Sequence, residues 1–594
     1  MDDVPDERVW GHGNYRRFPR IAIEGFQDQA WVGYEPLAKR LKSMEHSRDR
    51  LVVTAECYPG SRVETILEGL SRYGFSKVFN VEECVKQSGV LAEQLRDQLT
   101  DDRVFGHMKP DQELEEFFDV AKLAALRREI AGLGPGSILV YGTGAALAAA
   151  GDVLLYFDLT RREIENRYAA GTGNFHGDNG NDSYLEKFKR GYFAEWRMAD
   201  RWKKELIPRI DYVISGVNEE CPSMCSGAAF REGIRQAAAR PFRMVPYFAP
   251  EVWGGQWMKE AFGLERSCEK YAWGFDGVPE ENSIILDFGS ADVELPAMDM
   301  VLMEPEALLG EDVYSRFGAE FPIRFDLLDT IDGQNLSLQV HPTREYIKKE
   351  FGLAYTQDES YYILDTHGEE SCVYLGIKPG VSREEMEFAL REAQDKGGFD
   401  AERYVNCFPV KKHDHVLIPA GTVHCSGAGT MVLEISATPY IFTFKMWDWG
   451  RLGLDGRPRP IHIDRALDNI RWERNEDWSR ANLLHRDVTV AQEPGYLEER
   501  TGLHELEFIE TRRISISGRC VQSTCGTVQV LNLVEGEEAL VESPQGEFPP
   551  LEVHYAETFI IPAQAGEFSI RPYGASAGGS IIVIKANVRP AAEA

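Results

Sequence analysis

Positive charge is what this chain has little of: 65 lysines and arginines stand against 96 aspartates and glutamates, a formal net charge of -31 at pH 7. The basic stripe that releases counterions from a phosphate backbone would have to form against that background, which argues against nucleic acid and against an anionic membrane as partners. A small anionic metabolite is not excluded, because a few cationic side chains converging in one pocket would hold it. Cysteine is also sparse. The ten cysteines are scattered through 594 residues, and the close pairs, Cys221 with Cys225 and Cys520 with Cys525, lack a second pair at zinc-knuckle spacing. They read as free thiols of a reducing compartment. The opening residues, MDDVPDERVW, lack the basic and then apolar order of a secretory signal, so a cytoplasmic location is expected. One stretch, Gly136 to Leu159, is apolar enough to suggest a membrane span. It is interrupted by Gly142, Gly144, Gly151 and Asp152, however, and reads as strand, helix and strand of a buried α/β region.

What is present is enough chain for several cores, since 594 residues exceed what one hydrophobic core serves. From about Arg20 to Gly216, short apolar runs alternate with amphipathic helical segments, as in RLVVTAECYPGSRVETILEGL, GSILVYG, DVLLYFDLTRREIENRY and DYVISG. That order predicts a mostly parallel α/β sheet. After about Arg240 the texture becomes glycine- and proline-punctuated strands, including NLSLQVHP, SYYILDT, HVLIPAGTVH and TMVLEIS, which is the pattern of a β-sandwich or barrel. One helical interruption, VSREEMEFALREAQDKG, opens with Ser382 as N-cap and Glu385 completing a capping box. From about Glu473 to Leu503 the chain reads as polar and irregular, and a second β-rich region follows to Val588.

Strand alternation gives the first chemistry. In NLSLQVHP, Gln339 and His341 project from one face of a strand, while Leu336, Leu338 and Val340 project from the other. In DESYYILDT the same period places Glu359 with Tyr361 and Ile363, and the Pro-Ala-Gly turn of IPAGTVHC delivers His424 at the start of a strand. Two imidazoles, a carboxylate and an amide oxygen form a mixed set that suits Zn²⁺ with an open position, and Mn²⁺, Fe²⁺ or Co²⁺ equally. Taken singly, each of these residues has an ordinary structural explanation as well.

The motifs LLDTIDGQNLSLQVHP, DESYYIL, VLIPAGTVHCSGAGTMVLEI and WDWGRLGLDGRPRPIHIDRAL, preceded by FAPEVWGGQWMKEAFG, run in series. In order and spacing they resemble the class I mannose-6-phosphate isomerases over about residues 241 to 590. The resemblance implies a pair of jelly-roll cupins, with Gln339, His341, Glu359 and His424 as the metal ligands in the first, and a second cupin in which no ligand set survives. It implies proton transfer by Glu434 and catalytic roles for Lys445 and Arg451, with Arg459 contacting substrate. Two departures stand out: Gln357 occupies the place of a lysine common in the family, and Lys445 that of an arginine, a fixed fork replaced by a point charge. His413 and His415, in KKHDHVLIP, read as a solvated strand start, and His462 as a support residue.

In the amino-terminal third, AECYPGSRVETIL has the strand-to-helix context of a phosphate-binding loop. Arg62, Val63 and Glu64 stand where Gly, Lys and Ser would be in a working Walker motif. The region resembles a degenerate nucleoside kinase, and no nucleotide-binding residues are assigned. GTGAAL after SILVYG lacks the third glycine of a dinucleotide fingerprint and is explained by a strand-to-helix turn. The expected organisation is therefore a P-loop-kinase-like α/β domain (1–238), a metal-binding cupin (239–475, with a helical insertion at about 381–403) and a carboxy-terminal cupin (476–594). The expected function is metal-dependent interconversion of mannose 6-phosphate and fructose 6-phosphate, or of a related sugar, by a chain free to form a homo-oligomer. The alternative is a non-catalytic sugar- or nucleotide-sensing protein.

Overall fold

The computed structural model describes residues 13–368, 371–437, 442–502 and 504–590. Two compact units divide the chain: Arg20–Ala237 with Pro279–Glu304, and Met1–Pro19 with Ala238–Val278 and Pro305–Ala594. Among the described residues no helix is long and apolar enough to cross a membrane.

The first unit is built on a seven-stranded sheet of β1 (Ala30–Val32), β2 (Arg50–Cys57), β3 (Lys77–Asn80), β4 (Gly136–Gly142), β5 (Val153–Asp158), β6 (Tyr212–Ser215) and β7 (Ser223–Ser226), in the order β1-β7-β6-β5-β2-β4-β3. Strands β2 to β6 are parallel, and β7 is antiparallel to β6 and β1. The near-continuous apolar runs of β2, β4 and β5 follow from this placement, because a central parallel strand is covered on both faces. One core packs Leu51, Val53, Leu139 and Leu155 against the helices Tyr34–Glu45 and Val63–Ser71. The other packs Val52, Ile138 and Val140 against Leu91, Leu95 and Phe117. The apolar stretch Gly136 to Leu159 is strand, one helical turn at Ala145–Ala148, and strand.

The two units meet at Ala237/Ala238, close to the boundary expected at 238, but a later segment departs from the expected division. Residues 279–304, expected in the metal-binding cupin, pack with the amino-terminal unit: Ser283–Asp287 pairs in parallel with Ile21–Ala22 and antiparallel with Asp292–Pro296. The same segment supplies Asp299, which with Asp158 at the end of β5 grips the buried Lys203 ammonium. Burial would strip the proton from Lys203, but the two carboxylates outweigh it and raise its pKa. Burial and the neighbouring Asp158 push Asp299 well above the usual carboxylate range. No sequence period announces such a contact between residues far apart in the chain. Lys203→Ala leaves both acids buried without their cation, so it is expected to cost about 3–5 kcal/mol, read as an earlier first transition in urea unfolding of the full chain.

The second unit contains two double-sheet β-structures. In the first, a six-stranded antiparallel sheet contains β8 (Tyr247–Ala249), β9 (Trp273–Phe275), β10 (Arg324–Asp329), β12 (Asp358–Thr366), β15 (His415–Ile418) and β17 (Thr430–Ala437). It faces a five-stranded sheet of β11 (Leu338–Val340), β13 (Cys372–Ile377), β14 (Val405–Pro409), β16 (His424–Ser426) and β18 (Phe444–Trp447). This is the cupin architecture. The inserted helix runs Arg383–Lys396; Ser382 caps it by accepting from the Glu385 N–H at 3.2 Å, while the Glu385 carboxylate pairs with Arg403.

The second β-structure has six- and four-stranded antiparallel sheets, with Ile514, Leu531, Val541, Phe559 and Val583 in its core. The stretch expected to be irregular, about 473 to 503, is more ordered than its composition suggests. It holds the helix Glu476–Asn482 and the strands Val488–Glu493 and Tyr496–Gly502. The first of these strands is at the sheet edge and largely exposed, which is why its sequence reads as polar.

Candidate metal centre

Register brings the ligand set together. β11 and β16 pair with Gln339 opposite His424, His341 follows β11 directly, and β12 starts one residue before Glu359. All four side chains are buried. His341 Nε2 lies 3.0 Å from one Glu359 oxygen and His424 Nε2 2.8 Å from the other, so one carboxylate faces two imidazoles. The ligand atoms of these three residues lie within 4.8 Å of one another. The end of the Gln339 amide is 3.3 Å from His424 Nε2, and a half-turn of that amide exchanges its nitrogen for its oxygen.

The far side of each ring decides what this arrangement suits. His341 Nδ1 is 2.8 Å from the Phe442 carbonyl and His424 Nδ1 is 2.8 Å from the Thr422 carbonyl. A carbonyl only accepts, so each Nδ1 carries the proton and, in a neutral ring, each Nε2 presents a lone pair to the carboxylate. Lone pairs facing carboxylate oxygens repel unless the rings are protonated or a cation lies between them. Backbone carbonyls fixing the tautomer in this way are the usual outer support of metal-bound histidine. The donor set therefore fits a divalent metal. Without one, burial works against ionisation of Glu359, yet the two imidazoles hold its pKa well below the usual range, and Glu359 raises that of His341.

Around this set, Gln357 donates to Glu359 at 2.9 Å and to Glu434 at 3.5 Å, so the residue in the family lysine's place is a neutral bridge between two carboxyl groups. Glu434 stands on β17 opposite Tyr361 of β12 and Asp326 of β10. Burial, then repulsion from Glu359 and Asp326, push its pKa well up. Lys445 on β18 is paired in register with Gln339. Burial and the nearby Arg459 guanidinium bring it down to about 8.

Arg451 and Arg459 are placed differently from the expectation of cations offered to a ligand. Arg451 bonds Asp448 at 3.1 Å and the Asn335 carbonyl at 2.7 Å. Arg459 joins Asp448 and, at 2.6 Å, Glu251. Glu251 and Asp448 were not singled out in the sequence; the available signal was an acid inside PEVW and inside MWDWGR, each within a family-like motif.

The other histidines fall away from the centre. His415 is buried, not solvated as expected: it meets Thr501 at 2.9 Å, and burial and Arg513 lower it to about 3. His413 contacts the Tyr362 hydroxyl at 2.8 Å and lies 3.4 Å from Glu535. His462 supports β18, its N–H donating to the Lys445 carbonyl at 2.8 Å. In the carboxy-terminal β-structure Glu538, Glu552 and His554 come together, but Glu557 already engages His554 Nδ1 at 3.1 Å.

Comparison with known proteins bears on both units. Residues 286–376, which include Gln339, His341 and Glu359, match the family profile "Phosphomannose isomerase type I, catalytic domain". Over that range the chain is similar to the type I phosphomannose isomerases. Residues 33–239 match a "Domain of unknown function (DUF8485)". A probable mannose-6-phosphate isomerase of Bacillus subtilis is 24% identical over 332 residues, 56% of this chain and 96% of its own length. The mannose-6-phosphate isomerase of Streptococcus mutans is 27% identical over 232 residues, covering 39% of this chain and 67% of its own. The crystal structure of a Bacillus subtilis mannose 6-phosphate isomerase aligns over 59% of this chain and all of its own, at 18% identity and a TM-score of 0.48.

If the lone pairs of His341 and His424 converge on a cation, adding Zn²⁺ to chelator-stripped protein raises its Tm, since a ligand bound only by the folded state stabilises it. His424→Ala is expected to abolish most of that rise.

Proposed function

We propose that the second unit interconverts mannose 6-phosphate and fructose 6-phosphate, or a closely related sugar pair, with Gln339, His341, Glu359 and His424 holding a divalent metal, Zn²⁺ first among the candidates. The observation that carries this reading is the convergence of two tautomer-fixed imidazoles on one buried carboxylate, with a second carboxyl, Glu434, bridged to it by Gln357.

Aldose–ketose interconversion moves a proton between adjacent carbons through an enediolate, so it needs charge stabilisation at the two oxygens and a proton carrier over the two carbons. A metal bound by the four ligands would polarise the sugar's carbonyl and hydroxyl oxygens. Glu434 is the proton carrier: its carboxyl is buried, close enough to share Gln357 with Glu359, and raised toward the form that can give a proton back. Lys445 supplies an ammonium beside Gln339 to steady the developing negative charge. Arg459 and Arg451, fixed by Asp448, set the field around Lys445. Glu434→Gln keeps the shape and the bridge to Gln357 but removes the acid. Turnover of mannose 6-phosphate is expected to fall by roughly 10²–10⁴, with metal content unchanged by elemental analysis.

The sensing alternative rests on Gln357, a neutral amide in the place of a family lysine. The two readings separate in one assay: metal-loaded protein that binds phosphorylated sugars in calorimetry but isomerises none of them, under conditions where His424→Ala loses the metal, ends the enzyme reading.

For the first unit we propose a kinase-like fold that has lost nucleotide binding. Two features support this: the parallel order β3-β4-β2-β5-β6, and the loop Tyr58 to Arg62 between β2 and the helix Val63–Ser71. An internal carboxylate stands where an anion would dock, since Glu219 accepts from the Arg62 N–H at 2.9 Å and pairs with Arg167 at 3.0 Å. Because 279–304 packs with this unit, the test belongs to the full chain. ATP with Mg²⁺ is expected to leave its unfolding profile unchanged, and a stabilising shift that Arg62→Ala removes would count against the loss.

A further inference from the structure

A cavity of about 460 Å³ lies in the second unit, against the back of the ligand-bearing strand β12. Five arginines line it, Arg316, Arg344, Arg471, Arg474 and Arg589, in a chain whose net charge is -31. They arrive from five separate places: two helices, two points of the segment after Asn469, and the end of the last strand. Four acids also line it, Glu345, Asp358, Glu505 and Glu507. Asp358 is buried and accepts from the Ala420 N–H at 2.8 Å. Glu507 is buried, and burial holds its carboxyl well toward the neutral form. Glu507 Oε1 has no hydrogen-bond partner. Some of the guanidinium groups already have partners: Arg474 donates to the Pro419 and Ala420 carbonyls at 2.8 and 2.9 Å and to the Thr422 hydroxyl, Arg316 to the Arg589 carbonyl at 3.0 Å, and Arg471 lies 3.8 Å from Glu345.

The cavity floor is aromatic. Phe317 and Phe508 are 4.9 Å apart between ring centroids, Phe317 and Tyr355 5.4 Å, and Tyr355 and Phe508 5.9 Å. The Arg316 guanidinium lies over Phe317 at 5.2 Å and over Phe508 at 5.8 Å. Thr343 and Arg344 open the helix Arg344–Phe351, so the end of that helix where backbone N–H groups lack intrahelical partners is also in the wall. Guanidinium forks select phosphate oxygens, and an aromatic floor selects the flat apolar face of a ring.

We propose that this cavity is a second ligand site, for a small organic phosphate monoester, separate from the metal centre. The separation follows from the strand: on β12 successive side chains point to opposite faces, so Asp358 faces the cavity while Glu359 faces the metal ligands. The occupant would thus bear on a residue next to a metal ligand without touching the metal.

Calorimetry on the full-length, chelator-stripped protein tests the site independently of isomerase activity. The probes are adenosine 5′-monophosphate, glucose 6-phosphate and inorganic phosphate. At least one of the two monoesters is expected to bind more tightly than inorganic phosphate, and to do so equally in His424→Ala. The nucleotide and sugar arms then tell which ring the floor accepts. The exposed pair Arg344→Ala with Arg471→Ala is expected to weaken that binding by roughly tenfold or more while the unfolding profile stays the same. The proposal is overturned if neither monoester binds, if inorganic phosphate binds as well as they do, or if the double variant binds like the parent.

Discussion

The second unit turns on one electrostatic conflict: the Glu359 carboxylate faces two imidazole nitrogens whose rings cannot turn away. Backbone carbonyls at Phe442 and Thr422 take the Nδ1 protons and so fix both lone pairs on the same point. A buried set of this kind costs free energy unless a positive charge resolves it, either as protons on the rings or as a metal. The surrounding fold is arranged to keep the conflict in place. Gln339, Glu359 and His424 lie on β11, β12 and β16, and a slip of one residue in any register would turn that side chain to the opposite face.

The same carboxylate organises the groups around it. Gln357 donates to both Glu359 and Glu434, and Glu359 is one reason that Glu434 resists ionisation. A lysine at position 357 would have offered a full positive charge to both acids; the amide offers only hydrogen bonds, so more of the balance falls on whatever cation the four ligands hold. Asp448 gathers Arg451 and Arg459, and burial, with the Arg459 guanidinium adding to it, weakens the hold of Lys445 on its proton. The two departures from the family pattern therefore both shift cationic character away from fixed side chains.

Much of this was legible in the sequence because strand periodicity and local motifs are short-range signals. Alternation along NLSLQVHP and DESYYIL placed Gln339, His341 and Glu359 on the correct faces, and the Pro-Ala-Gly turn placed His424 at a strand start. What escaped the sequence depends on distant segments. The exchange of Pro279–Glu304 into the amino-terminal unit rests on Ser283–Asp287 pairing with Ile21–Ala22 and on Asp299 meeting Lys203, neither of which has a local signature. His415 read as solvated because its neighbours are Lys411, Lys412 and Asp414, yet the strand Tyr496–Gly502 covers it. The binding of Arg451 and Arg459 by Asp448 escaped for a related reason: a motif places a cation, but only coordinates show which anion already holds it.

That last point applies to the first unit with more force. Both glycine-containing turns that imitate nucleotide-binding loops have N–H groups aimed at an anion, and in both the anion comes from the chain. Glu219 takes the Arg62 N–H, and Glu56 accepts from Gly144 at 2.6 Å and Ala146 at 2.7 Å. Burial raises Glu56 to about 7 even with those two donors, so its hold on the turn depends on the proton it is close to regaining. A turn that orients N–H groups toward one point leaves those groups buried without an acceptor unless an anion lies there. An internal carboxylate removes that penalty and keeps the strand-to-helix geometry. In both turns the strand-to-helix geometry is thus held by an acceptor that the folded chain itself supplies.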